Sequence, residues 1–428
     1  MPSRTADRSP RRPWTAYAVR GWRRDIELFA LSFLGLLLAH VVAPWGPYFV
    51  ICCTVLVLWR RPDLRRRYHD VTRSRRSVQR MHAALWLCSI VGRDGRIPTV
   101  TSVESLAVGY RYQLQLPVGL HFELMEARAP ELAAALSARD VQVRPCRENA
   151  SLVNVTEVVV DPFPQNLRSP LVGAELFDLW QPIPFAVADD GRVVRLSLPE
   201  HNLLFGGEPG SGKSVALSGI VAAAALDPTV AITLLDGKQV ELAAWRPVAN
   251  HFVGPNQDQA VEALEFLRAT MDLRYAELLE NGKRKIDQES DFGLHLVVID
   301  ELAFYLRGGK KSSRDEFAEL LRDLVSRGRA AGIIVVAATQ KPSHEVVPTW
   351  IRDLFAYRLA MRCSSSDASD TILGSGWAQR GFSAATIDPS SRGVGYLLSE
   401  GGVPVLLKTP FISDEEMMSI VQRAMLIR

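Results

Sequence analysis

Eight consecutive residues, Gly207, Glu208, Pro209, Gly210, Ser211, Gly212, Lys213 and Ser214, have the types and spacing to grip a polyphosphate. Glycines let successive backbone N–H groups curl round phosphate oxygens, Lys213 reaches the outer phosphates, and the Ser214 hydroxyl is a ligand for Mg²⁺. With Val215 they form the candidate nucleotide-binding set, and ATP with Mg²⁺ is the implied cofactor pair. Alone, the run could also be a glycine-rich surface loop opening an ordinary helix. The apolar stretch Asn202 to Phe205 ahead of it reads as a strand feeding the loop, which favours the nucleotide. A second constellation ends the apolar run Leu294 to Ile299, where Asp300 and Glu301 follow at once, as at the open edge of a buried parallel strand. Asp300 would hold the Mg²⁺ hydration shell. Glu301 would polarise the attacking water, since hydrolysis in such sites is mostly positioning and electrostatic stabilisation.

These side chains must be brought together by the elements around them. After the Gln181-Pro182-Ile183-Pro184 segment the pattern alternates strand and helix. Strands are predicted at 202–205, 231–235, 294–299, 333–338, 356–361 and 394–398, and helices at about 213–226, 258–281, 315–330 and 414–427. That alternation predicts an α/β fold with a mostly parallel sheet covered on both faces, and ligands then sit beyond the carboxyl ends of the strands. The phosphate loop, Asp300-Glu301 and Thr339-Gln340 all fall at such ends. Ahead of this α/β region, residues 81–195 read as a small α+β module, with strands near 109–119, 141–144 and 153–160 and a helix near 129–139. Its aromatics are at strand spacing, which favours core packing over a base-stacking platform.

The amino-terminal part is of another kind. Residues 28–59 carry no Asp, Glu, Lys or Arg and are broken by Pro44-Trp45-Gly46-Pro47. One helix of that length would run about 48 Å, well beyond a hydrocarbon core of about 30 Å, so a hairpin of two short crossings is expected, with a single tilted, kinked span as the alternative. Arginines on both flanks place both ends in the cytoplasm, giving a multi-pass cell-membrane protein with a cytoplasmic ATPase. A cleaved signal peptide is disfavoured: a second apolar arm follows directly. Residues 1–27 form a basic segment, and residues 60–80 hold nine Arg against two Asp, read as a juxtamembrane segment facing lipid headgroups. Of the net charge of +3, residues 1–59 contribute +4 and 60–80 contribute +7, leaving −8 for 81–428. Any grip on nucleic acid by that part must come from local basic loops and not from a general positive field. The five cysteines lack C-x-x-C spacing, so neither a disulfide framework nor a zinc site is indicated.

The ordered set of motifs resembles the FtsK/SpoIIIE family of membrane-anchored DNA-pumping ATPases, and in particular its short conjugative-transfer members. The blocks are the phosphate loop, Leu235-Asp236-Gly237-Lys238 with Glu241-Leu242, Met271 to Tyr275, Val298 to Ala303, Arg327 to Ile333, Ala338 to Ser343, Thr371-Ile372-Leu373 and Gly393 to Leu397. The resemblance covers about residues 100–410 and implies a RecA-like P-loop motor at 196–428, working as a homo-hexameric ring on double-stranded DNA. It further implies that Gln340 senses the terminal phosphate and that Arg358 acts in trans as an arginine finger, with Arg352, Arg327 and Arg329 as competing candidates. Lys238 and Lys283-Arg284-Lys285 are the candidate pore-loop groups, against a reading as solvated charged turns.

The chain ends soon after the motor pattern, so sequence-directed movement as in chromosome segregation is not expected. The compact hairpin suits a transfer protein with recruiting or transfer partners. Two further readings compete: a protein-export ATPase of the type VII secretion kind, weakened by the single phosphate loop, and a nucleotide-switched adaptor, weakened by the presence of Lys213, Asp300, Glu301 and Gln340 together.

Overall fold

The computed structural model describes residues 62–146, 148–343 and 346–428. The basic segment 1–27 and the expected hairpin 28–59 lie outside them. Among the described residues no helix is long and apolar enough to cross a membrane. The chain forms two compact units that meet in sequence at Val160 and Asp161.

In the first unit, helix α1 (Pro62–Leu87) leads into strands β1 (Thr99–Leu106) and β2 (Gly109–Gln115), helices α2 (Phe122–Ala127) and α3 (Ala129–Leu136), and strands β3 (Asp140–Pro145) and β4 (Leu152–Val158). The four strands form an antiparallel sheet in the order β1-β2-β4-β3. Met81, Ala84 and Leu85 of α1 pack with Tyr112, Leu114, Leu132, Val153 and Val155 in one core. The expected boundary at 80/81 is therefore corrected: it falls inside one helix. Within this core Glu157 is buried, accepting from the Tyr112 hydroxyl at 2.6 Å and from Arg80 Nη2 at 2.8 Å. Burial and that carboxylate together push the Tyr112 phenol well above its usual range.

The second unit contains a ten-stranded sheet in the order β6-β5-β14-β13-β12-β7-β11-β10-β8-β9. Its six-stranded parallel part comprises β7 (Leu203–Gly206), β8 (Ala231–Asp236), β9 (His251–Val253), β10 (His295–Asp300), β11 (Ile333–Thr339) and β12 (Tyr357–Met361). The remaining strands, β5 (Ile183–Ala188), β6 (Val193–Leu196), β13 (Val394–Leu398) and β14 (Val405–Lys408), extend it antiparallel beyond β12. The strand pair at 183–196, assigned from sequence to the small module, is part of the ten-stranded sheet, so the 195/196 boundary is also corrected.

Alternation along each parallel strand divides the apolar residues between two cores. Leu203, Phe205, Leu296, Val298, Ile334 and Val336 enter one, which helices α4 (Lys213–Ala225) and α10 (Asp414–Ile427) cover with Leu217, Ile220, Ile420 and Val421. Leu204, Val297, Ile299, Ile333 and Val335 enter the other, covered by α5 (Gln257–Glu280), α7 (Lys311–Arg327) and α9 (Ser366–Leu373). Two buried faces are what a parallel sheet requires, and they explain the continuous apolar runs in the sequence. Two short helices, α6 (Leu302–Arg307) and α8 (Thr349–Arg352), sit between these elements in the chain.

Candidate nucleotide site

Register brings the chemical groups to one edge. Gly206 at the end of β7 is opposite Thr339 of β11, and Asp300 of β10 is opposite Asp236 of β8. The phosphate loop leaves β7 and enters α4 at Lys213. Gly212 has φ +99, and a Cβ there would lie 2.6 Å from the Gly393 nitrogen, so only glycine fits. Gly393 N–H in turn donates to Ser211 O at 2.8 Å, fastening the loop to the start of β13. The Gly207 N–H donates to Thr339 O at 3.3 Å. Ser214 and Val215 follow in the first turn of α4, both half-buried.

Lys213 Nζ lies 3.4 Å from Asp300 Oδ1, with both side chains almost wholly buried, 3% and 0% exposed. Burial pushes the Asp300 carboxyl up, and Lys213 and Lys238 pull it down. Its second oxygen, Oδ2, is buried without a hydrogen-bond partner, as is Ser211 Oγ. A buried carboxylate oxygen with spare valence fits a hydrated divalent cation, which usually takes only one or two protein carboxylates beside phosphates and water. Glu301 has φ +58, an uncommon conformation for a residue other than glycine, of the kind that gathers at functional sites. Its Oε1 accepts from Thr339 Oγ1 at 3.2 Å and from the Gln340 backbone N–H at 3.3 Å, and its Oε2 lies 3.3 Å from Lys238 Nζ.

Lys213, Asp300, Glu301 and Gln340 are thus assembled at one place, with Thr339 between them. Lys238, expected from sequence as a DNA-contact group, is turned instead toward Glu301. Lys283 pairs with Asp287 at 3.3 Å and Lys285 with Glu200. Arg358 stands apart from the cluster, near the start of β12 opposite Leu204, with Nη1 3.4 Å from Asp353 Oδ1. Burial and the neighbouring Arg352 lower its pKa. Arg352 shares the same Asp353 oxygen at 2.8 Å, and Arg327 is held by Asp272 and Asp323.

Sequence reasoning passed over Arg362. It follows the end of β12 at the edge shared by the other groups, and its Nη1 lies 3.1 Å from Glu208 Oε2 in the phosphate loop. The strand-end rule that selected Asp300 and Thr339 applies equally to the end of the 356–361 run.

Residues 173–375 match the FtsK/SpoIIIE family model. The DNA translocase FtsK of Staphylococcus aureus is 27% identical over 359 residues, covering 75% of this chain and 42% of that protein. The DNA translocase FtsK of Lactococcus lactis is 29% identical over 364 residues, with 75% and 44% covered. The chain spans less than half the length of these relatives. Among solved structures, the pCW3 conjugation coupling protein TcpA, in a monomer form with ATPγS, is similar with a TM-score of 0.51 at 19% identity, over 79% of this chain and 96% of that one. EssC ATPases 2 and 3 from Geobacillus thermodenitrificans also give 0.51, at 16% identity over 62% and 51%. At these identities the structural likeness is one of fold. The FtsK/SpoIIIE match is carried by the sequence, over residues 173–375, and it is a match to a P-loop ATPase domain.

Proposed function

We propose that the chain is an ATP-driven double-stranded DNA translocase, anchored in the cell membrane through residues 28–59 and working as a homo-hexameric ring in conjugative DNA transfer. The observation that carries this reading is the convergence of Lys213, Asp300, Glu301 and the Thr339-Gln340 pair at one sheet edge inside an FtsK/SpoIIIE domain. Similarity to FtsK translocases supports DNA as the substrate, and similarity to a conjugation coupling protein over 96% of its length supports transfer over segregation.

In this reading the phosphate-loop N–H groups and Lys213 bind the β- and γ-phosphates of ATP. Mg²⁺, held by the Ser214 hydroxyl and by Asp300 through water, would neutralise charge on the phosphates. Glu301, fixed by Thr339 and the Gln340 N–H, orients the attacking water and takes its proton. Gln340 is the group that would couple the terminal phosphate to the β11 edge, and Arg358 is the candidate for a neighbour's nucleotide.

The test is steady-state ATP hydrolysis by the full chain with and without linear duplex DNA. Stimulation by DNA is expected, and Glu301→Gln should lower turnover about 10²- to 10³-fold while leaving nucleotide binding in place. Hydrolysis indifferent to DNA would sink the DNA assignment and leave the ATPase standing.

A further inference from the structure

We infer that Arg362 is a positioning residue for the nucleotide: its guanidinium offsets the Glu208 carboxylate and holds the front of the phosphate loop, so that a polyanion can enter a loop carrying an acid of its own. The inference rests on the reading of this loop as a nucleotide site. Glu208 is the second residue of the octet, among the groups that must surround phosphate oxygens, and an uncompensated carboxylate there opposes a triphosphate at close range.

Three bonds connect the two residues and their surroundings. Glu208 N–H donates to Arg362 O at 2.9 Å, Arg362 Nη1 donates to Glu208 Oε2 at 3.1 Å, and Arg362 Nη2 donates to Pro209 O at 3.2 Å. The placement follows from the sheet. Ala360 is opposite Gly206, so the chain leaving β12 runs beside the chain leaving β7. A Cβ on Gly207 would lie 3.0 Å from Met361 Cβ, which shows how closely the two segments approach. The side chains of Arg362 and Glu208 are 23% and 28% exposed, so the pair is partly withdrawn from water and keeps more of its attraction than a surface ion pair. A planar fork can meet the carboxylate with one arm and a loop carbonyl with the other, which an ammonium cannot do in the same way. Lys213 with Asp300 and Lys238 with Glu301 are two further cation–carboxylate pairs at the site.

The experiment measures the affinity of the full chain for a fluorescent ATP analogue with Mg²⁺, and KM and kcat for ATP, in a double-mutant cycle. Arg362→Ala should weaken binding about tenfold or more and raise KM more than it lowers kcat. The double variant Glu208→Ala with Arg362→Ala should bind several-fold more tightly than Arg362→Ala alone, because the charge that needed balancing is gone. A double variant as weak as Arg362→Ala alone would overturn the charge role, as would wild-type affinity in Arg362→Ala. Glu208→Gln, which leaves Arg362 in place should the first variant not fold, is expected to bind more tightly than wild type because the guanidinium is then unbalanced; equal or weaker binding would also overturn the inference. A wild-type chain that binds no nucleotide would sink the site itself, whereas the other outcomes concern Arg362 alone.

Discussion

In the proposed reading Asp300 acts as an anion in a place that resists charge. Its carboxyl is raised by burial and pulled back by Lys213 and Lys238. As pH falls through a raised pKa the carboxylate is lost earlier than in water, where an aspartate titrates near about 3.9. The acid limb of kcat/KM for ATP should therefore lie at higher pH than an unperturbed aspartate would give. Lys238→Ala removes one of the two cations that hold it down, so the limb should move further up; a limb unmoved or shifted downward in the pH profile of that variant would refute this account. The identities of Lys213, Asp300 and Glu301 were legible because each falls at a motif position. The role of Lys238 was not, because a lysine in a polar turn reads the same whether it faces solvent or a carboxylate 63 positions further along.

At the scale of elements, Asn202 shows how the phosphate-loop strand is kept in place. Wholly buried, it donates from Nδ2 to Val325 O at 2.8 Å at the end of α7, and its Oδ1 accepts from Val335 N–H at 2.8 Å in β11. One side chain thus joins the entry of β7 to its neighbouring strand and to a covering helix. Asn202→Ala would leave a buried N–H and a buried carbonyl unpaired, and should cost about 2–4 kcal/mol, measured by denaturant unfolding. The parallel strands were legible as continuous apolar runs with chemical residues at their ends. The antiparallel extension was largely not: β6 and β14 have four residues each, partly exposed, and β5 begins Ile183-Pro184, which reads as a break. Their place was settled by pairing, β14 on β13 and β5 on β14, and no local pattern encodes that.

For the whole molecule, the two units have separate cores. Met81, Tyr112 and Leu132 belong to one, and both cores of the ten-stranded sheet lie within the other. Every residue assigned to phosphate, metal or water lies in the second. A fragment of residues 161–428 should therefore bind the fluorescent ATP analogue with an affinity within about threefold of the full chain, as expected of a unit with its own core. A fragment beginning at 196, the boundary suggested by sequence, lacks β5 and all but the last residue of β6 and should melt lower than the 161–428 fragment. Equal melting temperatures would show that the two strands contribute nothing to the second unit.

The sequence by itself determined the class of fold and the chemistry. Glycine spacing, a lysine and a hydroxyl specify a phosphate loop, and apolar runs ending in carboxylates specify parallel strands with a catalytic edge, because both properties are local. Only the tertiary structure decided which groups meet. The Glu208–Arg362 and Lys238–Glu301 pairs join residues far apart in the chain, and they form because parallel register sets the ends of β7, β8, β10, β11 and β12 along one edge. The same sheet placed Arg358 away from that edge and drew 183–196 into the second unit, since strand order is fixed by long-range pairing and by the two faces that must be buried.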